Sequence, residues 1–288
     1  MDERIDRLAD LVAAGGVVVI SGAGLSTDSG IPDYRGPSGA LRRHPPMTYR
    51  EFVSDPHARR RYWARSQVGW RHVARAEPNR AHLAVAALER GGWLHGTITQ
   101  NVDGLHQRAG SRDVVELHGS LHTVVCLDCG TRCSRREMAR RLRAANPDFD
   151  LQASQIAPDG DADLPARFVD RFTVVPCRTC GDGVVKPDVV FFGESVPRDR
   201  VARCFERVDS ARGLLILGSS LTVMSGYRFV LRARELGIAV GIVNRGPTRG
   251  DAAATVKVDA GLADVLPRLL DRMGDADRVS GVRTTRWE

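Results

Sequence analysis

Lysine is nearly absent from this chain of 288 residues, because only Lys186 and Lys257 among its 42 basic residues are lysines. Runs of a single charge sign are short, so the net charge of +7 is typical of a soluble, mildly basic protein. The sequence also lacks a groove-reading motif and any interleaving of aromatic with basic residues. We therefore expect no direct nucleic-acid partner.

Long hydrophobic runs are absent as well, and no segment reaches the length of a membrane span. The N-terminus, Met1-Asp2-Glu3-Arg4, carries acidic residues and no separate apolar stretch, so a signal peptide is not expected. Hydrophobic residues make up 42% of the chain, enough for a core in one large domain with an insert or in two domains. We expect a cytoplasmic protein without a membrane partner.

The six cysteines do not form the pattern of a disulfide framework. Four of them make two Cys-x-x-Cys pairs, Cys126/Cys129 and Cys177/Cys180, and this pattern predicts one tetrahedral zinc site. Four thiolates close the coordination shell, so the zinc is expected to be structural. The stretch between the pairs is far longer than the roughly 15–20 residues of common zinc ribbons, so its middle must loop out. Cys133 is a competing ligand.

Short apolar runs rich in β-branched residues alternate with helical patterns along the chain. The runs cover residues 16–20, 93–99, 214–217 and 238–243, and helical patterns occupy residues 81–88 and 227–236. Such runs are typical of buried parallel strands. The alternation predicts an α/β fold with a Rossmann-type, doubly wound parallel sheet.

Small or polar residues follow each of the four predicted strands. They are Gly22, Ala23 and Gly24; Gln100, Asn101 and Asp103; Gly218, Ser219 and Ser220; and Asn244, Arg245 and Gly246. Open α/β sheets bind ligands at the carboxyl ends of their strands. The four strand ends together predict a ligand site more strongly than any one of them.

Two segments interrupt the alternation of predicted strands and helices, and they predict a smaller domain formed by insertions. Residues 37–80 are expected to form a helical flap, and residues 120–185 a zinc-ribbon unit around the cysteine pairs. The remaining segments, residues 1–36, 81–119 and 186–273, are assigned to the large sheet domain. The tail, residues 274–288, is expected to be frayed or disordered.

The glycine-containing loop at residues 22–27, Gly-Ala-Gly-Leu-Ser-Thr, is similar to a dinucleotide loop but lacks the third glycine of G-x-G-x-x-G. A plain tight turn is an equal alternative for this segment alone. Its position after a strand favours phosphate binding, because backbone N–H groups at a helix start bind anions. The continuation at residues 29–35 adds a carboxylate, an aromatic ring and a guanidinium, for which a surface loop with an Arg–Asp pair is the alternative.

Polar residues after the second strand and a single histidine are the candidate chemical groups. Gln100, Asn101 and Asp103 can grip ribose hydroxyls or a carboxamide, although Asn and Asp at such positions also cap helices. His118 follows a strand-like stretch and precedes Gly119, between the polar cluster and the cysteine unit. A lone histidine is more often structural, but clefts between domains are favoured sites.

Taken together, these segments resemble the sirtuin family. The resemblance rests on GAGLS (22–26), SGIPDYR (29–35), TQNVD (99–103), HG (118–119), the two cysteine pairs, KPDVVFFGE (186–194), GSSL (218–221) and Asn244. It covers residues 10–265. Details such as PDYR (32–35), RYWAR (61–65) and GYRF (226–229) look most like the class II branch. Ser219 in place of the usual Thr, and Leu25 in place of Ile, are minor departures.

The resemblance implies an NAD-dependent protein-lysine deacylase. Nicotinamide would leave, the acyl oxygen would attack the ribose C1′ atom, and 2′-O-acyl-ADP-ribose and free lysine would result. The implied cofactors are NAD and one structural zinc held by the four paired cysteines. The implied partners are acyl-lysine proteins or peptides, and a monomer is expected.

The resemblance also assigns roles to single residues. His118 would be the general base, with Asn101 and Asp103 in the catalytic set. The NAD-binding set would comprise Gly22, Ala23, Gly24, Ser26, Ile31, Pro32, Asp33, Tyr34, Arg35, Gln100, Asn101, Asp103, Gly218, Ser219, Ser220, Asn244, Arg245, Gly246 and Ala260. The substrate set would comprise Tyr62, Arg65, Val190, Phe192, Gly193 and Glu194. A peptide would add as a strand between residues 192–194 and 221–225.

Tyr62 and Arg65 match the Tyr-x-x-Arg pair with which some sirtuins accept acidic acyl groups. A helix pair that only packs the flap is an equal alternative. Two other functions stay open: a mono-ADP-ribosyltransferase on the same NAD site, and a zinc-containing module that senses NAD without turnover. His118 and the Phe-Gly-Glu strand argue against the sensor. A hydride-transferring dehydrogenase is disfavoured because the third glycine is missing.

Overall fold

The computed structural model describes residues 1–34, 46–149, 151, 160–162 and 164–274. The predicted NAD-binding residue Arg35, half of the Pro/Asp/Ala-rich stretch at residues 146–165 that is predicted to loop out, and residues 275–288 of the predicted tail lie outside this part of the chain. Within it, no helix combines the length and the apolar composition needed to cross a bilayer.

The chain alternates helices and strands in the order that the apolar runs predict. The elements are α1 (Asp2–Ala13), β1 (Val17–Ser21), α2 (Tyr49–Ser54), α3 (Pro56–Arg75), α4 (Arg80–Arg90), β2 (Leu94–Thr99), α5 (Leu105–Arg108), β3 (Val114–Glu116), β4 (Gly119–Cys126), β5 (Arg132–Ser134), α6 (Arg135–Ala145), α7 (Ala166–Asp170), β6 (Val185–Val189), α8 (Arg198–Asp209), β7 (Gly213–Leu217), α9 (Met224–Glu235), β8 (Ala239–Val243), β9 (Val256–Val258) and α10 (Leu262–Met273). All four predicted strands and both predicted helices form.

Six parallel strands make the large sheet, in the order β3-β2-β1-β7-β8-β9. Successive side chains of β1 point to opposite faces: Val17 and Val19 join one core cluster, and Val18 and Ile20 join the other. Helices α1, α4 and α10 cover the first face, and α8 and α9 cover the second. The doubly wound Rossmann-type fold is therefore confirmed. The three-residue edge strands β3 and β9 are too short to give a pattern in the sequence.

A second, antiparallel sheet of three strands, in the order β5-β4-β6, lies in the smaller unit. Its core combines both predicted insertions, because Phe52 and Trp63 of the flap pack with Val124 and Met138 of the cysteine unit. The Trp63 indole N–H also donates to the carbonyl of Val185, at 3.2 Å. The predicted boundary between residues 185 and 186 falls inside β6, and the one between residues 119 and 120 inside β4.

Arg135 joins the flap to the cysteine unit from inside the small-domain core. Its side chain is fully buried, and its guanidinium lies 5.3 Å from the ring centroids of both Trp63 and Trp70. The Nη2 atom donates to the carbonyl of Ser66, at 3.0 Å. A buried guanidinium needs such partners because its desolvation is costly. Burial lowers the pKa of Arg135 to about 10, and the group stays charged at neutral pH.

Candidate active site

A cavity of about 610 Å³ opens where the carboxyl ends of the large sheet face the smaller unit. Ligand pockets in proteins usually measure roughly 300–1,000 Å³, so it has the size of a binding site. It brings together all four predicted strand ends and most of the predicted substrate residues. The predicted site residues that line it are Gly22, Ala23, Gly24, Ser26, Ile31, Asp33, Tyr34, Tyr62, Gln100, Asn101, Asp103, His118, Val190, Phe192, Gly193, Glu194, Gly218, Ser219, Ser220, Asn244 and Arg245.

Four predicted cofactor- or substrate-binding residues do not line the cavity. Among the described residues, the cavity lining does not include Pro32, Arg65, Gly246 or Ala260, and Arg35 lies outside the described range. The Gly246 amide donates to Asp259 Oδ1, at 2.8 Å. Their predicted roles remain predictions.

The glycine loop after β1 touches the loop after β7 through backbone atoms. The amide of Gly22 donates to the carbonyl of Leu217, and that of Gly24 to the carbonyl of Gly218, both at 2.9 Å. A Cβ atom on Gly24 would stand 2.8 Å from the oxygen of Gly218, and one on Gly22 would stand 2.8 Å from Ser219 Cβ. Both glycines are therefore required by this close approach, which leaves a narrow cradle for a phosphate or sugar.

The missing third glycine has a structural reason. Thr27 occupies that position and begins a short 3₁₀ turn, Thr27–Ser29, and its hydroxyl donates to the carbonyl of Gly24 at 3.1 Å. The chain then reverses at Gly30, where φ is +81°. In the described residues up to 34, short 3₁₀ turns take the place of a long helix after the loop, so no helix packs against the strand closely enough to require a glycine there.

Asn101, Asp103 and Ser26 form a buried hydrogen-bond network under the cavity. Ser26 Oγ donates to Asp103 Oδ2 at 2.7 Å, and Asn101 Nδ2 donates to Ser26 Oγ at 3.0 Å and to the Gly22 carbonyl at 3.1 Å. Asp103 Oδ1 also accepts from the amide of Leu105, at 2.9 Å, at the start of α5. The helix-capping role that was the alternative for Asp103 thus accounts for one of its carboxylate oxygens, Oδ1. The other oxygen, Oδ2, accepts from Ser26 in the glycine loop. Burial raises the pKa of Asp103, and these hydrogen bonds oppose the rise.

His118 is held at both ring nitrogens. Its Nδ1 lies 3.0 Å from the carbonyl oxygen of Gln100, and its Nε2 lies 2.8 Å from Ser225 Oγ. A carbonyl only accepts, so Nδ1 carries the hydrogen, and the lone pair of Nε2 accepts from the Ser225 hydroxyl, which also lines the cavity. Burial lowers the pKa of His118, the Gln100 contact opposes this, and the charges of Arg200 and Arg228 add to the lowering. The ring is therefore neutral at pH 7, as a general base must be.

The opposite wall of the cavity follows β6. The amide of Val190 donates to the carbonyl of His118 at 2.8 Å, which ties this wall to the histidine. Thr48 forms a parallel bridge with Phe192, whose carbonyl accepts from the amide of Tyr49 at 2.9 Å. Part of the predicted peptide-binding edge is thus already paired with a segment of this chain.

Sequence reasoning missed several apolar lining residues. They are Met47, Val102, Val189, Phe191, Val196 and Pro247. Val102 and Phe191 stand directly between predicted site residues, so extending each motif by its intervening apolar positions finds them. Met47 and Val196 belong to segments without a motif, and only the fold brings them to the cavity.

Arg65 and Tyr62 separate in the structure, although both lie on α3. Tyr62 lines the cavity and its ring packs against Phe52 and Phe191, with centroid distances of 5.4 and 5.1 Å. Arg65 Nε lies 2.9 Å from Asp161 Oδ1 and 2.6 Å from the carbonyl oxygen of Ala162. The guanidinium therefore has a carboxylate partner from this chain.

The four paired cysteines converge on one point. Their sulfur atoms all lie within 4.8 Å of one another, and the Cys126–Cys180 and Cys129–Cys177 separations are both 3.7 Å. A tetrahedral zinc with bonds of about 2.3 Å requires sulfur separations of about 3.8 Å, so the donor set fits the ion. Cys133, the competing ligand, lies outside this cluster. A closed four-thiolate shell supplies structural support and no open catalytic position.

The doubly wound sheet, the glycine cradle at its carboxyl edge and the inserted four-cysteine unit define a Rossmann-type nucleotide-binding enzyme with a structural zinc site. The family model described as "Sir2 family" matches residues 22–225. The chain belongs to the Sir2 family. The resemblance to sirtuins is thereby confirmed, together with NAD and zinc as cofactors, while the class II branch stays a prediction.

Relatives and solved structures agree over nearly the whole chain. "NAD-dependent protein deacetylase 1" of Streptomyces coelicolor is 61% identical over 267 residues, covering 93% of this chain and 89% of the relative. "NAD-dependent protein deacylase Sirt4" of Drosophila melanogaster is 46% identical, with coverages of 94% and 88%. The solved "Structure of Sir2Tm bound to a propionylated peptide" is 30% identical with a TM-score of 0.74, covering 94% of this chain and 98% of that one.

Proposed function

We propose that this chain uses NAD to remove acyl groups from lysine side chains of proteins, with release of nicotinamide. The class of activity follows from the family, because its relatives are NAD-dependent protein deacetylases and deacylases. The observation that carries the assignment to this cavity is the neutral His118 ring, which lines the cavity together with the glycine loop and the Phe-Gly-Glu wall and keeps its Nε2 atom unprotonated.

The residues at the different strand ends would each bind a different part of the NAD molecule. NAD supplies a labile bond to nicotinamide and a ribose that receives the acyl group. The loop around Gly22 and Gly24 would hold the pyrophosphate, because it lines the cavity at the carboxyl end of β1 and carries only small side chains there. Ser219, Asn244 and Arg245 line the far end of the cavity and would hold the adenosine half.

The buried network would position the nicotinamide end. Asn101 and Asp103 stand at the inner end of the cavity, where Ser26 fixes both side chains. Their side chains cannot rotate without losing buried hydrogen bonds, so they are pre-organised to grip a carboxamide. Ile31 and Asp33 line the same region and would close over the ring.

His118 would remove a proton from a ribose hydroxyl. The Gln100 carbonyl fixes the tautomer, so Nε2 is unprotonated before any ligand binds, and a ribose hydroxyl would replace the Ser225 hydroxyl at its lone pair. A base whose pKa lies below its usual value stays unprotonated at neutral pH. The acyl-lysine would enter along the wall formed by Val190, Phe192 and Gly193, and Tyr62 would contact the acyl chain.

A panel of acyl-lysine peptides, incubated with the protein and NAD and read by mass spectrometry, tests the function. We expect free lysine, nicotinamide and acyl-ADP-ribose in equal amounts. Transfer of ADP-ribose to the protein or peptide, without loss of the acyl group, would instead establish the mono-ADP-ribosyltransferase alternative. NAD binding without turnover on every peptide would favour the sensor.

The remaining partner and location assignments rest on the sequence. We place the protein in the cytoplasm because two thiolate pairs require a reducing compartment. A monomer without nucleic-acid partners fits the dispersed charge and the absence of groove-reading motifs in the sequence. Size-exclusion chromatography with light scattering tests the oligomeric state directly.

A further inference from the structure

Ser225 faces the candidate base from the first turn of α9. Its Oγ lies 2.8 Å from His118 Nε2, and both residues line the cavity. The side chain of Val223, the N-cap residue of α9, makes no capping hydrogen bond, and Ser225 lies two residues further into the helix. The described contact of this side chain is with the histidine.

The direction of this hydrogen bond follows from the other side of the ring. Because Nδ1 donates to the Gln100 carbonyl, Nε2 of the neutral ring accepts, and the Ser225 hydroxyl must donate. The ring is therefore held at both nitrogens. A 180° flip of the imidazole would break both contacts and would turn a carbon towards Ser225.

The same contact has a second use once His118 has taken a proton. The Ser225 hydrogen turns away from Nε2, the O–H bond of a ribose hydroxyl breaks, and the ribose oxygen keeps the electron pair. The hydrogen forms a bond with Nε2, and Nε2–H then becomes a donor. The Ser225 hydroxyl can rotate about its Cβ–Oγ bond and present a lone pair to it. No oxidant or further reactant is needed for this exchange.

Because charged groups near the His118 ring disfavour its protonated form, the Ser225 hydroxyl matters as an acceptor. Arg200 on α8 and Arg228 on α9 both disfavour a positive charge on His118, and the positive end of the 12-residue helix α9 adds to them. The Gln100 carbonyl is the stabilising group on the opposite side. A hydrogen bond to a charged group is roughly twice as strong as one between neutral groups. Ser225 therefore stabilises the protonated ring more than the neutral ring.

We propose that Ser225 is a positioning residue for the general base: it holds His118 with Nε2 towards the cavity and then accepts the hydrogen bond of the protonated ring. The step in which the ring takes a ribose proton rests on the proposed function, whereas the pairing of the two side chains does not. Three variants separate the possibilities: Ser225→Ala, Ser225→Thr and, as a matched control, Ser210→Ala at the exposed end of α8.

The first measurement is an NMR titration of the His118 ring nitrogens in the full-length protein without substrate. In Ser225→Ala we expect the pKa of His118 to fall by about half a unit to one unit, because the charged form loses the stronger contact. Ser225→Thr keeps the hydroxyl and should restore the wild-type value. An unchanged pKa in Ser225→Ala would overturn the pairing, whether or not turnover is ever observed.

The second measurement is steady-state kinetics on the best acyl-lysine peptide. Ser225→Ala should lower kcat about tenfold with little change in the KM for NAD, because the lost contact acts in the chemical step. Ser225→Thr should recover most of this loss, and Ser210→Ala should behave as wild type. A rise in KM at unchanged kcat, or equal losses in both Ser225 variants, would refute the positioning role. An inactive wild-type protein would instead refute the proposed function.

Discussion

Lys186 and Glu194 form an ion pair behind the cavity wall, with Lys186 Nζ 3.0 Å from Glu194 Oε2. The lysine is almost fully buried, and its ammonium lies 4.6 Å from the centroid of the Phe191 ring. Glu194 Oε2 also accepts from the amide of Phe191, at 2.8 Å. Burial lowers the pKa of Lys186 and Glu194 opposes this. The pair fixes the segment that would present backbone groups to a peptide.

The two lysines of the chain provide a matched test of this pair. Lys186→Met should lower the free energy of unfolding by about 2 kcal/mol and raise the KM for the peptide, because the wall loses its buried support. Lys257→Met breaks a pair with Asp251 that is about a quarter exposed on the lysine side, and should cost less than about 1 kcal/mol. Urea unfolding and peptide kinetics measure both. Equal, small changes in the free energy of unfolding and in the peptide KM in the two variants would contradict the role of Lys186 in supporting the cavity wall.

Removal of the zinc should unfold the smaller unit. Zinc-site binding energy is also folding energy, so Cys177→Ala or treatment with a chelator should abolish metal content and soluble fold. Cys133→Ala is the matched control, because this thiol lies on β5 outside the four-sulfur cluster. Metal analysis and thermal unfolding give the readouts. A Cys177→Ala protein that keeps its stability and activity would contradict the structural role of the ion.

The sequence predicted the positions of groups that stand at strand ends, and it did so for a physical reason. Parallel strands bring their carboxyl ends to one edge, so Gly22, Gln100, Ser219 and Asn244 were expected to meet without knowledge of the loops. Side-chain contacts between different helices and strands could not be predicted from the sequence in this way. Ser225 is an ordinary serine near a helix start, and its contact with His118 depends on how the first turn of α9 meets the connection between β3 and β4.

The ion pair of Arg65 is a second contact that the sequence could not predict. The Tyr-x-x-Arg spacing placed Tyr62 and Arg65 near each other on one helix, and the structure has both on α3. The sequence could not show that Asp161, almost a hundred residues away, pairs with the guanidinium. Long-range ion pairs carry no local pattern, because neither partner needs a particular neighbour in sequence.

The base role of His118 predicts both a variant effect and a pH dependence. His118→Tyr should abolish deacylation while leaving NAD binding and thermal stability near wild type. Burial lowers the pKa of His118, so the active, neutral form persists as pH falls below 6.5 and is lost only as pH passes through the lower folded-state value. The acid limb of kcat/KM against pH, which reports groups of the free enzyme, should therefore lie below 6.5. Undiminished turnover in His118→Tyr would exclude the base role.

Two buried histidines, one of which contacts Ser21 at the end of β1, predict acid sensitivity of the fold. The rings of His82 and His106 lie 5.3 Å apart, and burial lowers their pKa values to about 3 and about 4. As pH falls below 6.5 the unfolded chain binds these two protons and the folded chain does not. The free energy of unfolding should therefore fall with decreasing pH between 6.5 and about 4, by up to about 2.7 kcal/mol per pH unit.

Urea unfolding at several pH values measures this slope. His82→Leu removes one of the two groups and should cut the slope by up to about 1.4 kcal/mol per pH unit. The exposed His95 provides the control, since His95→Gln should leave the slope as it is in the wild type. A slope that is the same in all three proteins would show that other groups govern the acid response.

The acyl preference depends on whether Arg65 reads a carboxylate of the substrate or only its partner Asp161. If it reads the substrate, Arg65→Met keeps the bulk of the side chain and should weaken succinyl- or glutaryl-type substrates about tenfold, equivalent to about 1.4 kcal/mol, while sparing acetyl-lysine. Asp161→Asn should act in the opposite direction, because it removes the carboxylate that competes for the same guanidinium.

The ratio of rates on acidic and neutral acyl groups is the decisive quantity, because damage to the flap lowers both rates together and cancels in the ratio. The two variants should move this ratio in opposite directions, down for Arg65→Met and up for Asp161→Asn. Equal losses on both acyl groups in both variants would mean that the pair with Asp161 and the contact with the Ala162 carbonyl only fasten α3 to the neighbouring segment. The acyl chain would then be acetyl or a longer apolar group, in contact with Tyr62 and the apolar residues beside it.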